Sequence, residues 1–192
     1  MAMLQHAFKE WAVMCKALAE GKQALILRKG GIAEDSGTFR LESKRFWLFP
    51  TYVHQQRDGI RPEAIPLLEQ AEAERPPANL VRLSHFADVT GVYHVHDLLP
   101  AMMLAHLHYW SDATVEKRFH YREPGLFVLS VRVYSVPRVF EIAKLPRYEG
   151  CKSWVDLEHP LSTEGAVPVL SDAAYHDVQH SLDILLNPTA LA

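Results

Sequence analysis

A polar pair directly after an apolar segment is the first candidate for chemistry in this 192-residue chain. Residues 46–49 are apolar enough to form a buried strand, and Pro50 is expected to end its pairing because proline has no N–H to donate. Tyr52 and His54 follow at once. Polar side chains in this position often form sites, since the strand fixes the backbone while the loop exposes the side chain. Tyr52 and His54 are therefore candidate functional residues.

A carboxylate and a lysine lie just before that segment. Residues 39–44 alternate in side-chain type, which predicts a strand whose charges share one face. Glu42-Ser43-Lys44 also matches the E-x-K element of metal-dependent nucleases, in which the carboxylate binds a divalent cation. Such sites need an aspartate on a preceding apolar strand, whereas Asp35 stands in a glycine-flanked loop. A nuclease element and a solvated edge strand both remain open here.

Two histidine pairs have spacings that suit a shared metal ion. His94 and His96 point the same way on a predicted strand, and His176 and His180 share one face of a predicted helix in a pattern similar to H-E-x-x-H. An aspartate replaces the glutamate that acts as base in that signature. An apolar stripe already accounts for the second helix. We therefore assign no metal ligands, and the sequence identifies no cofactor.

The composition indicates an ordinary globular protein with an uneven charge distribution. Hydrophobic residues make up 48% of the chain, and no apolar segment approaches the ~20 residues of a membrane helix. Residues 1–60 carry a net charge of +3 and residues 61–192 a net charge of -6. The basic first third allows an anionic ligand there, but it falls far below the charge of a general nucleic-acid binder.

The absence of paired cysteines and of two catalytic motifs narrows the classes of protein to which the chain can belong. Cys15 and Cys151 are the only cysteines and lie far apart, so we expect reduced thiols in a cytoplasmic protein without a secretory signal. The chain also has no G-x-S-x-G elbow and no dinucleotide fingerprint. These absences remove hydrolases of that type and Rossmann enzymes as leading candidates.

The predicted elements indicate an α+β fold with a mainly antiparallel or mixed sheet flanked by helices, because strict βαβ alternation is missing. Residues 4–18 are predicted as one amphipathic helix from apolar side chains at helical spacing. Residues 98–110 are predicted as a helix with Asp97 as N-cap. Residues 126–134, continued past Pro137, form the clearest strand.

These elements are predicted to form one α+β domain over residues 1–158. Pro76-Pro77 marks an internal boundary near residues 76–79. Residues 159–192 are predicted as a C-terminal loop and helix packed on that domain, because Ser171 precedes an apolar stripe with helical spacing.

Several short motifs together resemble one bacterial family. They are Lys9-Glu10-Trp11-Ala12, Leu27-Arg28-Lys29-Gly30-Gly31-Ile32, Phe49-Pro50-Thr51-Tyr52 with His54-Gln55, His108-Tyr109-Trp110, Arg118-Phe119 and Gly150-Cys151-Lys152-Ser153-Trp154-Val155. Over roughly residues 6–158 the chain resembles the family catalogued as domain of unknown function 1802. The resemblance implies kinship and brings no established activity.

The resemblance also implies a set of polar residues beyond the needs of a core. They are Arg28, Lys29, Glu42, Tyr52, His54, His108, Arg118 and Lys152. As a group, four cations, one carboxylate, two imidazoles and a phenol would form a pocket for an anionic ligand. Singly, each fits a structural role, such as a buried salt bridge between Glu42 and one arginine.

The first predicted function is a pocket for a nucleic acid or a phosphorylated small molecule, with metal-dependent cleavage of a phosphodiester as its activity. Glu42 with either His54 or His108 would supply the acid and base, and Tyr52 would donate a hydrogen bond. His54 is favoured because it follows Pro50 at the end of a predicted buried strand. The ligand-binding residues would be Arg28, Lys29, His108, Arg118 and Lys152.

The second predicted function needs no catalysis. The same residues would brace an interaction module, or a nucleotide-recognition module of the PUA-like kind. The ribbon over residues 126–142 resembles such small barrels in outline, with Trp110 or Trp154 as the ring on which a base stacks. Enzymatic and non-enzymatic functions are both retained at this point.

Overall fold

Residues 3–29 and 41–186 are described by a computed structural model, in which seven strands form one mixed sheet. The strands are β1 (Met3–Trp11), β2 (Leu25–Arg28), β3 (Arg45–Thr51), β4 (Leu80–Val95), β5 (Leu126–Ala143), β6 (Trp154–Ser162) and β7 (Val167–Pro168). The α-helices of these ranges are α1 (Ala12–Ala19), α2 (Ile65–Ala73), α3 (Leu98–Met103), α4 (Asp112–Phe119) and α5 (Asp172–Leu186). The predicted α+β class with a mixed sheet is confirmed.

The sheet has the strand order β2-β5-β4-β3-β1-β6, and β7 pairs with β5. β1 and β3 run parallel, whereas the other paired strands are antiparallel. The longest pairing joins β4 to β5 along a ribbon with two irregularities, one between Leu83 and His85 and one between Val89 and Gly91. Such bulges bend a strand and increase its twist, which helps a sheet to curl.

The sheet curls until β2 reaches β1, although these strands are not paired within the described ranges. Arg28, at the end of β2, places its guanidinium 4.2 Å from the Phe8 ring centroid and 3.7 Å from the Glu10 carboxylate, both on β1. Six strands contribute to one apolar cluster on the inner face, which includes Phe8, Ile26, Phe46, Ala87, Leu129 and Trp154. The result is a partly closed barrel.

The helices cover the outer face of β2 and β5. Leu27 and Val128 from these strands pack in one cluster with Met14 of α1, Val115 of α4 and Leu182 of α5. Tyr175 is buried as well, so the predicted apolar stripe of the last helix is confirmed. No helix in the described ranges is long and apolar enough to cross a membrane.

The predicted first helix is wrong over its first half, because residues 3–11 form β1. The four-residue spacing of Leu4 and Phe8 suits a helix face, but in a strand it also places two side chains in the core. β1 pairs with β3 on one side and β6 on the other, and this backbone pairing decides the conformation. The helix begins only at Ala12, and Gly21 follows its end at φ +66°, a conformation that glycine adopts without strain.

The predictions around Pro50 also need correction. β3 begins at Arg45, so residues 41–44 do not form the predicted strand. Residues 39–40 of that prediction, and Gly30-Gly31 of the family motif, lie outside the described ranges. β3 also continues through Pro50 to Thr51. Proline is tolerated there because β4 pairs with β3 only as far as Trp47, which leaves the end of β3 with β1 alone.

The predicted helix over residues 98–110 is shorter in the structure. α3 gives way to a 3-10 turn over Leu104–Leu107, and Trp110 forms an isolated bridge with Ile60. Asp97 occupies the N-cap position, but its side chain makes no capping hydrogen bond. Ser111 does cap α4, since its hydroxyl accepts a hydrogen bond from a backbone N–H at 3.3 Å. β5 passes Pro137 without interruption, as predicted.

Candidate functional site

An open cleft of about 260 Å³ lies where β3 and β4 separate. The two strands stop pairing at Trp47 and Phe86, and α1 and α2 line the gap that opens beyond this point. Small apolar residues form much of its wall: Ala12, Ala19, Leu48, Pro50, Ala71 and Pro76. The cleft is thus a consequence of strand divergence next to two helices.

The charged side chains of the cleft are paired with each other or with a neighbour. Lys16 places its Nζ 3.2 Å from a carboxylate oxygen of Glu20 and 3.0 Å from one of Glu74. Arg82 lies 2.7 Å from the carboxylate of Glu141 on the neighbouring strand. The cleft therefore carries little surplus charge for an anionic ligand.

A neutral polar pair stands in the cleft at the first bulge of β4. The Ser84 hydroxyl lies 2.8 Å from Nδ1 of His85, and both side chains are half-buried. Burial lowers the pKa of His85, so its ring is neutral at pH 7. Sequence reasoning missed this pair. Its only local signal is that two polar residues interrupt the apolar alternation between Leu83 and Phe86.

Tyr52 is the one residue among the predicted catalytic three that lines the cleft. It is half-buried, and the Arg75 guanidinium carbon lies 4.9 Å from its ring centroid. Burial, together with the nearby Cys15, raises the pKa of the Tyr52 phenol, so the hydroxyl stays protonated at neutral pH. Tyr52 can therefore offer a ring and a hydrogen-bond donor.

The other two predicted catalytic residues, Glu42 and His54, are exposed. Neither side chain makes a hydrogen bond or an ion pair with residues 3–29 or 41–186. The pairing of Glu42 with His54 stays a prediction without a contact in its favour. Across the same ranges, no three His, Cys, Asp or Glu side chains are grouped so as to hold a metal ion.

A second polar group fills the seam between β1 and β2. We call Glu10, Arg28, His108, Trp110 and Arg118 the seam cluster. Glu10 is only 3% exposed, and one of its oxygens accepts the backbone N–H of Trp11 at 2.8 Å. Its other oxygen faces Arg28 at 3.7 Å. Within residues 3–29 and 41–186, Glu10 is the buried carboxylate, whereas Glu42, for which a buried salt bridge was one prediction, is exposed.

Arg118 is the second guanidinium of the seam cluster. Its guanidinium carbon lies 3.6 Å from the centroid of the Trp110 ring, a close cation–π contact, and one N–H points to the Leu27 carbonyl at 3.5 Å. Burial lowers the pKa of Arg118 to about 10, while Glu10 raises it, so the side chain is still charged at neutral pH.

His108 is 3% exposed and is an electrostatic neighbour of Arg118. Its Nδ1 accepts the backbone N–H of Trp110 at 3.2 Å. Burial, helped by Arg61 and Arg118, lowers the pKa of His108 to about 4. The ring is thus neutral at pH 7 and carries its proton on Nε2.

Neither predicted stacking residue presents an open ring face. Trp110 is fully buried beneath Arg118, with the Trp11 ring 4.6 Å away in an edge-on arrangement. Trp154 is 7% exposed and packs against Phe8 inside the barrel. Base stacking on either tryptophan would need the core to open.

Two predicted ligand-binding lysines lie apart from the seam cluster. The Lys29 ammonium donates to the carbonyls of Phe119, Glu123 and Gly125, so it braces the end of α4. Lys152 is exposed beside Lys9, and burial together with Lys152 lowers the pKa of Lys9. Of the eight predicted site residues, the structure brings together Arg28, His108 and Arg118.

Sequence reasoning missed the role of Glu10. A signal was present, because this acid interrupts an otherwise core-forming segment within the motif Lys9-Glu10-Trp11-Ala12. The prediction of a helix for residues 4–18 concealed that signal. A charged residue on an amphipathic helix is ordinary, whereas a carboxylate on the inner face of a central strand needs a partner.

Comparison with known proteins gives one family. The family described as Domain of unknown function (DUF1802) matches residues 7–181. No curated protein matches the chain.

Among solved structures, the crystal structure of ASCH from Zymomonas mobilis aligns with 91% of this chain and 93% of its own, at 10% identity and a TM-score of 0.47. A serine-to-alanine mutant of ZmASCH aligns with 92% of this chain and 94% of its own, at 11% identity and a TM-score of 0.46. Similarities at this level carry no conclusion about what the chain does.

Proposed function

The chain belongs to the family described as domain of unknown function (DUF1802), and we propose that its cleft makes it a non-enzymatic module that recognises a nucleotide. The observation that carries the proposal is the cleft itself: about 260 Å³, walled by small apolar residues and one tyrosine, with a neutral Ser84–His85 pair inside. A flat, uncharged ring with polar edges is the ligand chemistry that matches these walls.

The volume supports a single base. Pockets for drug-sized ligands begin at roughly 300 Å³, and this cleft lies just below that size. Its neutral donors and acceptors, the Ser84 hydroxyl and the His85 ring, suit the edge of a base that has left its stack. Proteins recognise single-stranded RNA in this way, with aromatic contacts to the face of the base and hydrogen bonds to its edges.

Exposed arginines near the cleft favour a nucleotide as the ligand rather than an isolated base. Arg75 and Arg82 have side-chain exposures of 46% and 42%; Arg82 lines the cleft, and the Arg75 guanidinium carbon lies 4.9 Å from the ring centroid of the cleft residue Tyr52. Their exposed surface ion pairs are weak, so a phosphate can compete for either guanidinium. A base inside with phosphates at the rim is the arrangement we propose.

Cleavage of a phosphodiester remains an alternative prediction. It requires Glu42 and His54 to act together, and within residues 41–186 no contact links them. The exposed positions of both side chains support the non-enzymatic proposal instead.

The test fills the cleft and leaves every polar contact in place. Ala19 is a half-buried wall residue in α1, and Ala113 is an exposed residue of α4 outside the cleft. We expect wild type and Ala113→Trp to bind a fluorescein-labelled, short, mixed-sequence single-stranded RNA in an anisotropy titration. Ala19→Trp should lose about tenfold in affinity or more, equivalent to ~1.4 kcal/mol.

Two results would overturn the proposal. One is equal RNA affinity of Ala19→Trp and wild type, with both shown to be folded by thermal melting. The other is wild type that binds neither this RNA nor mononucleotides. Shortening of the RNA by wild type, and its loss in Glu42→Gln, would favour the enzymatic alternative.

A further inference from the structure

Three buried N–H groups of the seam cluster have no hydrogen-bond partner within the described ranges. They are Arg28 Nε, His108 Nε2 and Trp110 Nε1. Nearly all buried polar groups in native proteins are hydrogen-bonded, because an unpaired buried donor costs ~1–3 kcal/mol. Three such groups in one region require an explanation beyond packing.

Two of the three groups are linked by direct contacts, and the third lies within electrostatic range. Trp110 donates its backbone N–H to His108 and lies beneath the Arg118 guanidinium. Arg118 is in turn an electrostatic neighbour of Arg28 and Glu10. The three groups therefore belong to one region of the fold, next to the seam between β1 and β2.

All three groups are donors, and the local charge is positive. Because His108 Nδ1 already accepts a hydrogen bond, Nε2 of the neutral ring carries the proton and can only donate. Glu10 is one carboxylate, 3.7 Å from Arg28 and an electrostatic neighbour of Arg118, and one of its oxygens is already engaged by Trp11. An ordered water could accept from one or two of these donors, but it would leave the surplus positive charge uncompensated.

We propose that the seam cluster is a binding site for a phosphate oxyanion. Phosphate offers several strong acceptors and a negative charge, and arginine forks match its geometry. Arg28 is 17% exposed in its side chain and Arg118 is half-buried, so both side chains keep some surface in contact with solvent. The site goes beyond the proposed nucleotide cleft, because no member of the seam cluster lines that cleft.

The protein contains an internal control for a direct test. Trp47 donates its indole N–H to the Leu4 carbonyl at 3.0 Å, whereas the Trp110 indole N–H has no partner in the described part of the chain. We expect inorganic phosphate to shift the Trp110 indole N–H resonance in a saturable manner and to leave that of Trp47 in place. Sodium chloride at the same ionic strength should shift neither, and Trp110→Phe assigns the resonance.

Variants locate the response. Arg118→Gln should weaken the phosphate response about tenfold or more. Arg138→Gln should keep it, because Arg138 is exposed on β5, ten residues beyond Val128, which pairs with Leu27 of β2. If Arg118→Gln does not fold, Arg118→Lys keeps the charge and removes the fork, and the response should again weaken. An unmoved Trp47 resonance shows that each variant is folded.

Comparing the Trp110 shifts caused by adenosine 5′-monophosphate, adenosine and inorganic phosphate identifies the source of the bound phosphate. A Trp110 shift with the monophosphate and not with adenosine supports a nucleotide phosphate, and a shift with inorganic phosphate supports a free anion. The proposal is overturned if chloride at equal ionic strength gives the same shift, if neither inorganic phosphate nor the monophosphate gives a shift, or if Arg118→Gln responds like wild type. A cleft that binds no RNA would leave this result unaffected.

Discussion

The cleft and the seam cluster adjoin the same residue, Cys15, but they differ in how their charged side chains are paired. Cys15 lines the cleft and donates to the Glu10 backbone carbonyl at 3.8 Å, and burial together with Glu10 raises the pKa of its thiol. In the cleft, lysine and arginine have carboxylate partners and space remains. In the seam cluster, one carboxylate faces two guanidinium groups and three donors lack partners in the described ranges.

This difference in charge pairing determines which kind of ligand each region can recognise. A cleft with paired charges selects mainly by shape and by hydrogen bonds to a neutral ring, with phosphate contacts only at its rim, so its affinity should depend less on salt than that of the seam cluster. A seam with surplus positive charge selects by charge, so its affinity should fall as salt rises. A nucleotide carries both features, and this contrast is open to direct tests.

The largest expected effect concerns the carboxylate of the seam. Glu10→Gln leaves Arg28 and Arg118 close together without a counter-charge, and loss of one partner of a buried ion pair typically costs ~3–5 kcal/mol. Urea unfolding measures this loss. The control is Glu141→Gln, which removes the exposed partner of Arg82 and should cost less than ~1 kcal/mol.

Repeating the urea unfolding of Glu10→Gln with added phosphate tests the proposed anion site as well. If the seam cluster binds phosphate, the anion should restore part of the stability of Glu10→Gln, since it replaces the missing charge. A loss in Glu10→Gln no greater than that of the control would contradict the importance of the buried carboxylate.

The next effect is the pH dependence due to His108. Its pKa is about 4 in the folded protein and 6.5 as the reference value, so the unfolded chain binds the proton more readily. Neutral His108 therefore contributes fully to the free energy of unfolding above pH 6.5, and this contribution is lost as the pH falls from 6.5 towards 4. The loss of stability reaches ~3 kcal/mol at pH 4.

Comparison of two variants isolates that contribution. Urea unfolding of His108→Gln between pH 4 and 6.5 should show a flatter pH profile than wild type. Exposed His176→Gln should follow the wild-type profile. Parallel profiles for His108→Gln and wild type would show that His108 is accessible to protons in the folded state.

A smaller effect tests whether Lys29 belongs to the seam or only braces α4. Lys29→Met removes hydrogen bonds to the carbonyls of Phe119, Glu123 and Gly125 and should cost ~1–2 kcal/mol in thermal or urea unfolding. The phosphate response of Trp110 should stay unchanged. Lys117→Met, at an exposed position of the same helix, should leave stability unchanged, and a weakened phosphate response in Lys29→Met would return Lys29 to the binding site.

The smallest effect separates the two contributions of Tyr52 in the cleft. Tyr52→Phe keeps the ring and should weaken RNA binding only about twofold to threefold, whereas Tyr52→Leu should weaken it about tenfold if the ring contacts a base. Anisotropy titrations measure both, with Tyr121→Phe as an exposed control. Equal affinities of Tyr52→Leu and wild type would remove Tyr52 from the proposed site.

Local patterns in the sequence sufficed for several features. The α+β class, the long ribbon through Pro137 and the apolar stripe of α5 depend on neighbouring residues, whose spacing is visible in one dimension. Family membership was also accessible, because it rests on short motifs. The same kind of evidence misread residues 4–11, whose spacing fits a helix face until β3 and β6 pair with them.

Tertiary structure alone decided both candidate sites. Glu10 and Arg28 belong to separate strands and come within 3.7 Å because the sheet curls until β2 approaches β1, and no local pattern encodes that approach. The cleft exists because β3 and β4 pair briefly and then separate, a property of two strands and two helices together. The sequence determined which side chains could do chemistry, whereas the curvature of the sheet determined which of them meet, which are paired and which remain buried donors.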